Sequence, residues 1–469
     1  MKSLETIKKI IQSSTVIERA ALHVYEWLPL SFWYGISYGS SFRRWLTFLK
    51  ESEYWSKDMY TIYQFEQMKN LLTHSMKNVP YYKKLFSDID FNPGKMQSLD
   101  DLKVIPLLSK ETVRDRLQEF IDERINPSKL FKKYSSGSTG IPMTVYRSSE
   151  SIGAFLAFRA DLLGRIGHTA RSKEVSLWEK IYIGKRKNLP FVKYGNKFII
   201  SIRYFTDEFL HDLVREILRF DPEYISGYPS ALAVLSGFIR RNRLSICKRL
   251  KAVISYTETL YDWQRSLIKE AFGVRVFSMY TMTEASALAG GCEYVDNLHF
   301  FPQHSLVEIK DLFGGHKEIV ATGFTNYAMP FIRYKTGDIV RERKEYCPEC
   351  GRYHQVVDQI EGRINDFLVN KEGNIIPRLM TWVKIFPNTV QYQFFQEEPG
   401  KAYLKIVRAK TYSDADTQYI RSKLEEMLGP MRDTISIEIV FVDDIEKTSS
   451  GKTLLVIQKL DMRKILNFQ

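Results

Sequence analysis

Between residues 198 and 278 the sequence alternates short apolar segments with segments of helical periodicity. Strands are predicted at 198–201, within 221–229, at 251–255 and at 274–278, and helices at 206–219, 230–241 and 261–271. The strands are apolar almost throughout, as expected when both faces of a sheet are covered. This alternation predicts an α/β fold with a doubly wound, largely parallel sheet.

Polar segments follow two of these predicted strands. Residues 255–258 read Ser-Tyr-Thr-Glu at the end of one strand, and residues 278–284 read Ser-Met-Tyr-Thr-Met-Thr-Glu at the end of the next. Ligands of doubly wound folds bind at the carboxyl ends of the strands. Both segments are therefore predicted to face a bound ligand.

A run of small and hydroxylated residues, 135–142, precedes a strand-like segment. Gly137 and Gly140 allow backbone angles that other residues avoid, so successive N–H groups can turn towards one anion while hydroxyl groups donate from the side. We predict a phosphate-binding loop, and the competing interpretation is a ligand-free Ser/Gly turn. It is not a Walker loop, because Gly140 is followed by Ile141 and Pro142 instead of Lys and a helix.

Five segments resemble, in order, the core motifs of the adenylate-forming superfamily. They are residues 135–142, 280–284, 334–338, 362–366 and 447–452. The resemblance extends over about residues 50–455, and it is greatest for the phenylacetate-coenzyme A ligase-like branch, in particular its CapK-type, capsule-associated members. Residues 78–82, 227–230 and 347–352 carry this finer resemblance.

This resemblance implies a ligase that converts a carboxylate into an acyl-AMP with release of pyrophosphate. The acyl group would then pass to coenzyme A, or to an amine or hydroxyl acceptor such as a precursor of capsular polysaccharide. ATP or AMP and Mg²⁺ are the implied ligands. The residues implied to bind the nucleotide are Ser135, Ser136, Gly137, Ser138, Thr139, Gly140, Tyr256, Thr257, Glu258, Tyr280, Thr281, Thr283, Asp338 and Arg363.

The resemblance also assigns roles to single residues. Tyr280 would lie against the adenine, and Asp338 would accept both ribose hydroxyls, which suits a carboxylate with several lone pairs. Glu284 would bind Mg²⁺, and Arg363 would reach the ribose or a phosphate. Lys452 would bridge the substrate carboxylate and the α-phosphate, because its ammonium is a compact point charge. Lys452, Glu284 and Arg363 are the predicted catalytic residues.

The cysteines suggest a second, structural site. Cys347 and Cys350 form a Cys-x-x-Cys pair, and Cys292 and His299 lie about fifty residues upstream. Three thiolates and one imidazole are a closed tetrahedral ligand set for Zn²⁺. His304 and His354 are competing ligands, and a reduced pair without metal is the alternative.

The chain is long enough for at least two domains. We predict a large N-terminal domain over residues 1–364 and a small, mobile α+β lid over residues 365–469, joined by a hinge at Asn365. Strands at 391–396, 402–408 and 434–442 and a helix at 413–428 are predicted in the lid. Lid rotation would let one site catalyse both half-reactions.

Composition limits the partners and the location. The net charge of +13 calls for an acidic ligand or surface, but no basic stripe with interleaved aromatic residues occurs, so nucleic acid is not expected. The aromatic and basic residues 16–50 would either pack on the main domain or bind a membrane surface. No signal-peptide pattern or long apolar run is present, so we predict a cytoplasmic protein, with the inner membrane surface as an option.

A non-catalytic nucleotide-binding scaffold of capsule assembly is the rival hypothesis. The motifs argue against it, since a scaffold has no physical need for Glu284, Asp338, Arg363 and Lys452 together. The sequence does not identify the carboxylate, the acceptor or the oligomeric state.

Overall fold

A computed structural model of the chain describes residues 30–135, 143–178, 182–183, 186–187, 190–205, 207–244, 247–311, 317–340, 343–363, 368–373, 375–376, 386–446 and 454–460. In these ranges nine helices are numbered α1 to α9. They are α1 (Leu30–Ser52), α2 (Lys57–Asn78), α3 (Pro80–Asp88), α4 (Lys110–Asp115), α5 (Ser149–Gly164), α6 (Asp207–Phe220), α7 (Pro229–Arg241), α8 (Asp262–Phe272) and α9 (Asp414–Leu428). Short 3-10 turns occur at Pro93–Lys95, Leu99–Val104, Leu117–Phe120, Pro127–Lys129, Ile202–Tyr204 and Gly429–Thr434.

Local signals explain where the second and third helices begin and end. The Ser56 hydroxyl accepts a hydrogen bond from the Met59 amide and caps α2. Pro80 follows the end of α2. It is also the first residue of α3, a position where its missing N–H costs nothing.

A ten-stranded mixed sheet forms the centre of the N-terminal part. Its strands are β3 (Glu174–Trp178), β6 (Phe191–Tyr194), β7 (Lys197–Ser201), β8 (Tyr224–Gly227), β9 (Ala252–Tyr256), β10 (Arg275–Thr281), β11 (Leu288–Gly290), β12 (Leu298–Phe300), β16 (Arg343–Lys344) and β17 (Gln355–Val357), in the order β16-β17-β12-β11-β10-β9-β8-β3-β7-β6. Neighbours from β10 to β7 are parallel, and the other pairings are antiparallel. The predicted parallel sheet is thus the middle of a larger one.

Helices cover both faces of the parallel strands. Ile225, Val253 and Val276 point into a core with α6, α7 and α8. The next residues along β9 and β10, Ile254 and Phe277, pack on the opposite face with α5. Burial on both faces explains why these strands are apolar throughout.

The remaining N-terminal strands form smaller sheets. The hairpin of β1 (Phe131–Ser135) and β2 (Met143–Arg147) flanks residues 136–142, and β4 (Tyr182–Ile183) pairs with β5 (Arg186–Lys187). An antiparallel sheet contains β13 (Ser305–Asp311), β14 (Lys317–Gly323), β15 (Tyr334–Val340) and β18 (Gly362–Arg363) in that order. This sheet was not predicted from the sequence.

The C-terminal part is a small α+β unit. Its sheet has the order β23-β22-β21-β24, formed by β21 (Thr389–Glu398), β22 (Lys401–Arg408), β23 (Ser436–Phe441) and β24 (Val456–Gln458), and α9 packs on it. The hairpin of β19 (Leu368–Val369) and β20 (Ile375–Ile376) precedes this sheet. The proposed hinge, Asn365, lies outside the described residues.

The described part of the aromatic N-terminal segment packs on the main domain. Phe42, Trp45 and Leu49 contact the core beneath α5, and the Trp45 ring lies 5.4 Å from that of Phe158. The Trp45 indole N–H donates to Glu150 at 3.0 Å. No helix among the described residues is long and apolar enough to cross a membrane.

Candidate active site

A cavity of about 760 Å³ opens at the carboxyl ends of β9 and β10 and extends to the C-terminal part. Three of the five motif segments contribute to its walls, through Ser135, Tyr280, Thr281, Thr283, Glu284 and Asp338. Thr257 and Glu258 after β9, and Leu454 and Leu455 just after the last segment, also line it. Thr389 and Tyr392 of β21 also line it. Segments distant in the chain therefore meet in one concave space.

Tyr280 and Asp338 are joined directly. The Tyr280 hydroxyl donates to Oδ2 of Asp338 at 2.7 Å, and the Tyr280 ring packs edge-on against Phe300 at 5.7 Å. The Asp338 amide donates to the Thr336 hydroxyl at 3.0 Å, which holds the turn before it. The carboxylate and the ring are thereby fixed on the same wall of the cavity.

Glu284 is a buried carboxylate on this wall. Its Oε1 accepts a hydrogen bond from the Tyr334 hydroxyl at 3.5 Å. The following residue, Ala285, has a positive φ of 56°, which few residues with a side chain adopt. Gly323 packs against this turn so closely that a Cβ there would lie 1.9 Å from the Ala285 carbonyl oxygen. The turn is therefore held by backbone packing.

The segment after β9 is also constrained. Thr257 has a φ of 78°, an outlier for a β-branched residue, and such strain is commonly held at functional sites. The Glu258 carboxylate accepts a hydrogen bond from the Ser230 amide at 3.1 Å, in the first turn of α7. Tyr256 was predicted with these two residues but is not in the cavity wall. Its ring packs towards the core, 6.2 Å from that of Tyr228.

Several residues of the predicted site are outside the residues that the structure describes. Ser135 ends β1 at the cavity, but Ser136, Gly137, Ser138, Thr139 and Gly140 are outside the described residues, as is Lys452. The backbone of Arg363 pairs with Asp338 across β18 and β15, which brings the two residues side by side, while the Arg363 side chain is not described.

Gln393 connects the two flanks of the segment that contains Lys452. It is fully buried on β21, and its amide nitrogen donates to the carbonyl oxygens of Glu446 at 3.0 Å and Leu454 at 2.9 Å. These carbonyls come immediately before and after residues 447–453. The sequence analysis did not identify Gln393, since a single glutamine in a strand gives no signal of this contact.

The four residues of the predicted zinc set lie together. The ligand atoms of Cys292, His299, Cys347 and Cys350 are all within 4.8 Å of one another, and all four residues are buried. Tetrahedral zinc with Zn–S bonds of about 2.3 Å requires ligand atoms about 3.5–3.8 Å apart, so a small contraction would close this set. His304 and His354, the competing ligands, are not in the cluster.

The surroundings of the cluster suit a metal. His299 Nδ1 lies 2.8 Å from the Asn297 carbonyl oxygen, to which it donates, so Nε2 faces the thiols with its lone pair. Nε2 lies 3.6 Å from Sγ of Cys350. A hydrogen bond from the Cys292 thiol holds the pKa of the Cys350 thiol well below its usual value, which favours the thiolate that a metal requires.

Arg352 ties the cluster to two carboxylates. Its guanidinium is 1% exposed and donates to both oxygens of Glu293 at 2.7 Å and to Oε1 of Glu53. Glu53 directly follows α1, so this network connects the Cys-x-x-Cys turn to the N-terminal helices. Such outer contacts orient metal ligands in many proteins.

Comparisons with known proteins agree with this architecture. Residues 368–459 match the family model of the CapK C-terminal domain. Protein CapK of Staphylococcus aureus is 26% identical over 405 residues, which cover 85% of this chain and 88% of CapK. A phenylacetate-coenzyme A ligase of Thermus thermophilus is 26% identical over 363 residues, which cover 73% of this chain and 80% of that ligase.

A solved structure shares the fold over most of the chain. It is 2-hydroxyisobutyryl-CoA ligase in the postadenylation state in complex with 2-HIB-AMP, with a TM-score of 0.69 at 16% identity, covering 89% of this chain and 93% of that one. The fold and the relatives define an AMP-forming ligase of the adenylate-forming superfamily. It is a phenylacetate-coenzyme A ligase-like member, and within that branch it is close to CapK.

Proposed function

We propose that the protein activates a carboxylic acid with ATP and passes the acyl group to a second substrate. A carboxylate oxygen attacks the α-phosphorus, the bond to the β,γ-phosphates breaks, and acyl-AMP and pyrophosphate form. A thiol, amine or hydroxyl then attacks the acyl carbon and AMP leaves. The observation that carries this proposal is the single cavity that joins Ser135, Glu284, Asp338 and Leu454.

The nucleotide is proposed to lie along the wall formed by Tyr280 and Asp338. Asp338 would accept the ribose hydroxyls, and Tyr280 would lie against the adenine while its hydroxyl holds the carboxylate in place. Arg363, whose backbone pairs with Asp338, would reach the ribose or a phosphate. Residues 136–142 would bind the phosphates from the end of β1, where Ser135 already lines the cavity.

Glu284 is the proposed Mg²⁺ ligand. Carboxylate oxygens are the ligands that Mg²⁺ prefers, and Glu284 presents one at the cavity wall within a turn fixed by Gly323. When bound, Mg²⁺ supplies charge neutralisation for the phosphate oxygens. Glu284 would hold the ion, and the buried setting would strengthen the interaction because water is excluded.

Lys452 is the proposed catalytic cation. Leu454, two residues later, lines the cavity, and the Gln393 hydrogen bonds hold both flanks of its segment on the lid sheet. A lysine at this place would stabilise the charge that develops between the carboxylate and the α-phosphate.

We further propose that Cys292, His299, Cys347 and Cys350 hold a structural Zn²⁺. A set of four protein ligands leaves no position for water or substrate, and this is typical of structural zinc. The acyl acceptor is proposed to be coenzyme A, as the names of the ligase relatives suggest, or a precursor of capsular polysaccharide, as the CapK name suggests.

The test is release of pyrophosphate from ATP in the presence of a library of carboxylic acids. We expect release that depends on one class of acid, and Lys452→Ala should lower it by about 10² or more. Lys459→Ala, an exposed lysine in the same C-terminal part, is the matched control and should keep the wild-type rate. ATP binding without acid-dependent release would instead support the scaffold hypothesis.

A further inference from the structure

Arg147 is a buried charge in a strand position that otherwise belongs to the core. Met143, Val145 and Arg147 share the inward face of β2, and the first two pack in the apolar core of the N-terminal part. Arg147 is only 5% exposed, yet it lines the cavity. Arg147 was not predicted from the sequence. The signal was available, because an arginine replaces the apolar residue that the alternation of β2 requires.

The guanidinium is held in place by α5. Nε donates to the Ser151 hydroxyl at 3.0 Å and Nη2 donates to the Ser151 carbonyl oxygen at 2.9 Å, while the group lies 5.4 Å from the centre of the Phe155 ring. Among the described residues, none accepts a hydrogen bond from Nη1 and none places a carboxylate within 4.0 Å of the group. Glu284 contributes only a longer-range attraction.

A buried cation without a paired anion is costly, so proteins rarely keep one without a use. Burial lowers the pKa of Arg147 to about 10, which leaves the guanidinium charged at neutral pH. The cavity wall therefore presents a positive charge that Ser151 holds in place.

The position of Arg147 along β2 indicates which ligand it can bind. In the hairpin register Ser135 pairs with Met143 beside residues 136–142, whereas Phe131 pairs with Arg147 at the other end. Four residues of strand span about 13 Å, so Arg147 is displaced from the proposed phosphate loop.

The cavity wall near Arg147 is mainly apolar. Ile152, Phe155 and Leu156 of α5 line the cavity. The same cavity is lined by Ser230, Ala233, Val234 and Gly237, which follow one another at helical spacing along α7. This compartment has room for the body of an acid, and Arg147 is the buried cation in its wall.

We propose that Arg147 binds a second anionic group of the acid that the enzyme activates. The substrate class is then a carboxylic acid with an apolar body and a second carboxylate or another anion at its far end. This inference rests on the proposed adenylation and specifies its substrate. Nη1 and the Ser151-anchored guanidinium plane supply the geometry that a carboxylate requires.

The test compares matched acids in pyrophosphate release: hexanoate with adipate, phenylacetate with 1,4-phenylenediacetate, and the linear diacids from malonate to suberate with their monoacids. The wild-type protein should prefer at least one diacid by about 10–100-fold in kcat/KM, the scale of a hydrogen bond to a charged group. Arg147→Met should remove that preference, Arg147→Lys should keep part of it, and neither should change the KM for ATP by more than about twofold. This wild-type comparison does not depend on whether the variants fold.

Arg241→Met is the matched control, since Arg241 is an exposed arginine of the same cavity wall. The inference is overturned if the wild-type protein prefers every monoacid, if Arg241→Met removes the diacid preference while Arg147→Met keeps it, or if Arg147→Met changes only the KM for ATP. If no acid supports pyrophosphate release, adenylation itself fails. Calorimetry with the same acids then decides on Arg147, because a diacid must bind Arg147→Met at least tenfold more weakly than wild type.

Discussion

The Tyr280 hydroxyl donates a 2.7 Å hydrogen bond to Oδ2 of Asp338, a residue 58 positions later in the chain. The bond joins the end of β10 in the central sheet to β15 in the antiparallel sheet. A nucleotide bound by both residues would therefore depend on how these two sheets are packed.

We predict that Tyr280→Phe raises the KM for ATP by about 2–10-fold, the scale of the net contribution of one hydrogen bond. The ring stays, so adenine contact is retained while the carboxylate loses its anchor. Asp338→Asn should have a larger effect, because an ionised acceptor is lost. Steady-state kinetics of pyrophosphate release measure both, with Tyr419→Phe on α9 as the control. An unchanged KM in Tyr280→Phe would mean that the hydroxyl does not position Asp338.

Gln393→Leu should lower the rate of adenylation, although Gln393 is not proposed to contact the nucleotide. It removes the two part-buried hydrogen bonds to the carbonyl oxygens of Glu446 and Leu454, and each lost bond should lower the free energy of unfolding by about 0.5–1.5 kcal/mol. If Lys452 acts from this segment, kcat should fall while the KM for ATP changes little. Gln391→Leu, two residues earlier on β21 and at the cavity, is the control. Lower stability with an unchanged kcat would limit Gln393 to a structural role.

Much of the fold could be predicted from the sequence because its strands are buried on both faces. Ile254 and Phe277 pack under α5 while Val253 and Val276 pack under the other helices, so continuous apolar runs marked β9 and β10 directly. The short strands β11, β12 and β17 have three residues each, and long-range pairing decides their place. Local periodicity carries no signal of that pairing.

The candidate site likewise contains residues that could be predicted from the sequence and residues that could not. Cys347 and Cys350 could be grouped by spacing, and the cluster with Cys292 and His299 has the expected members. Arg147 and Gln393 act through contacts with other elements, at Ser151 and at Leu454, and such contacts depend on tertiary packing.

We expect about one Zn²⁺ per chain by elemental analysis. Cys347→Ser should lose the metal and lower the melting temperature, since structural zinc contributes to folding free energy. Arg352→Met, which breaks the contacts to Glu293 and Glu53, should lower zinc affinity by about 10–100-fold. Cys247→Ser, outside the cluster, should keep the zinc. Fully stable protein that contains no metal would contradict the assignment.

His304 should make the protein acid-sensitive. Burial, with the nearby charge of Arg147, lowers the pKa of His304 from the ordinary 6.5 to about 3. Between these values the unfolded chain binds a proton that the folded protein does not, so stability falls as the pH falls through this window. The effect is about 1.4 kcal/mol per pH unit at most. Urea unfolding at pH 7 and pH 5 should show a smaller loss in His304→Leu than in wild type, and equal losses would show that His304 does not contribute.

The central claim is that a carboxylate oxygen attacks the α-phosphorus of ATP. The most direct measurement uses an acid labelled with ¹⁸O in its carboxylate, ATP and the acyl acceptor, followed by mass spectrometry of the products. If acyl-AMP forms at the cavity that contains Glu284 and Asp338, AMP should carry one labelled oxygen and pyrophosphate none, and Lys452→Ala should lower the rate of label transfer by about 10² or more. Unlabelled AMP, or label in inorganic phosphate, would contradict the account.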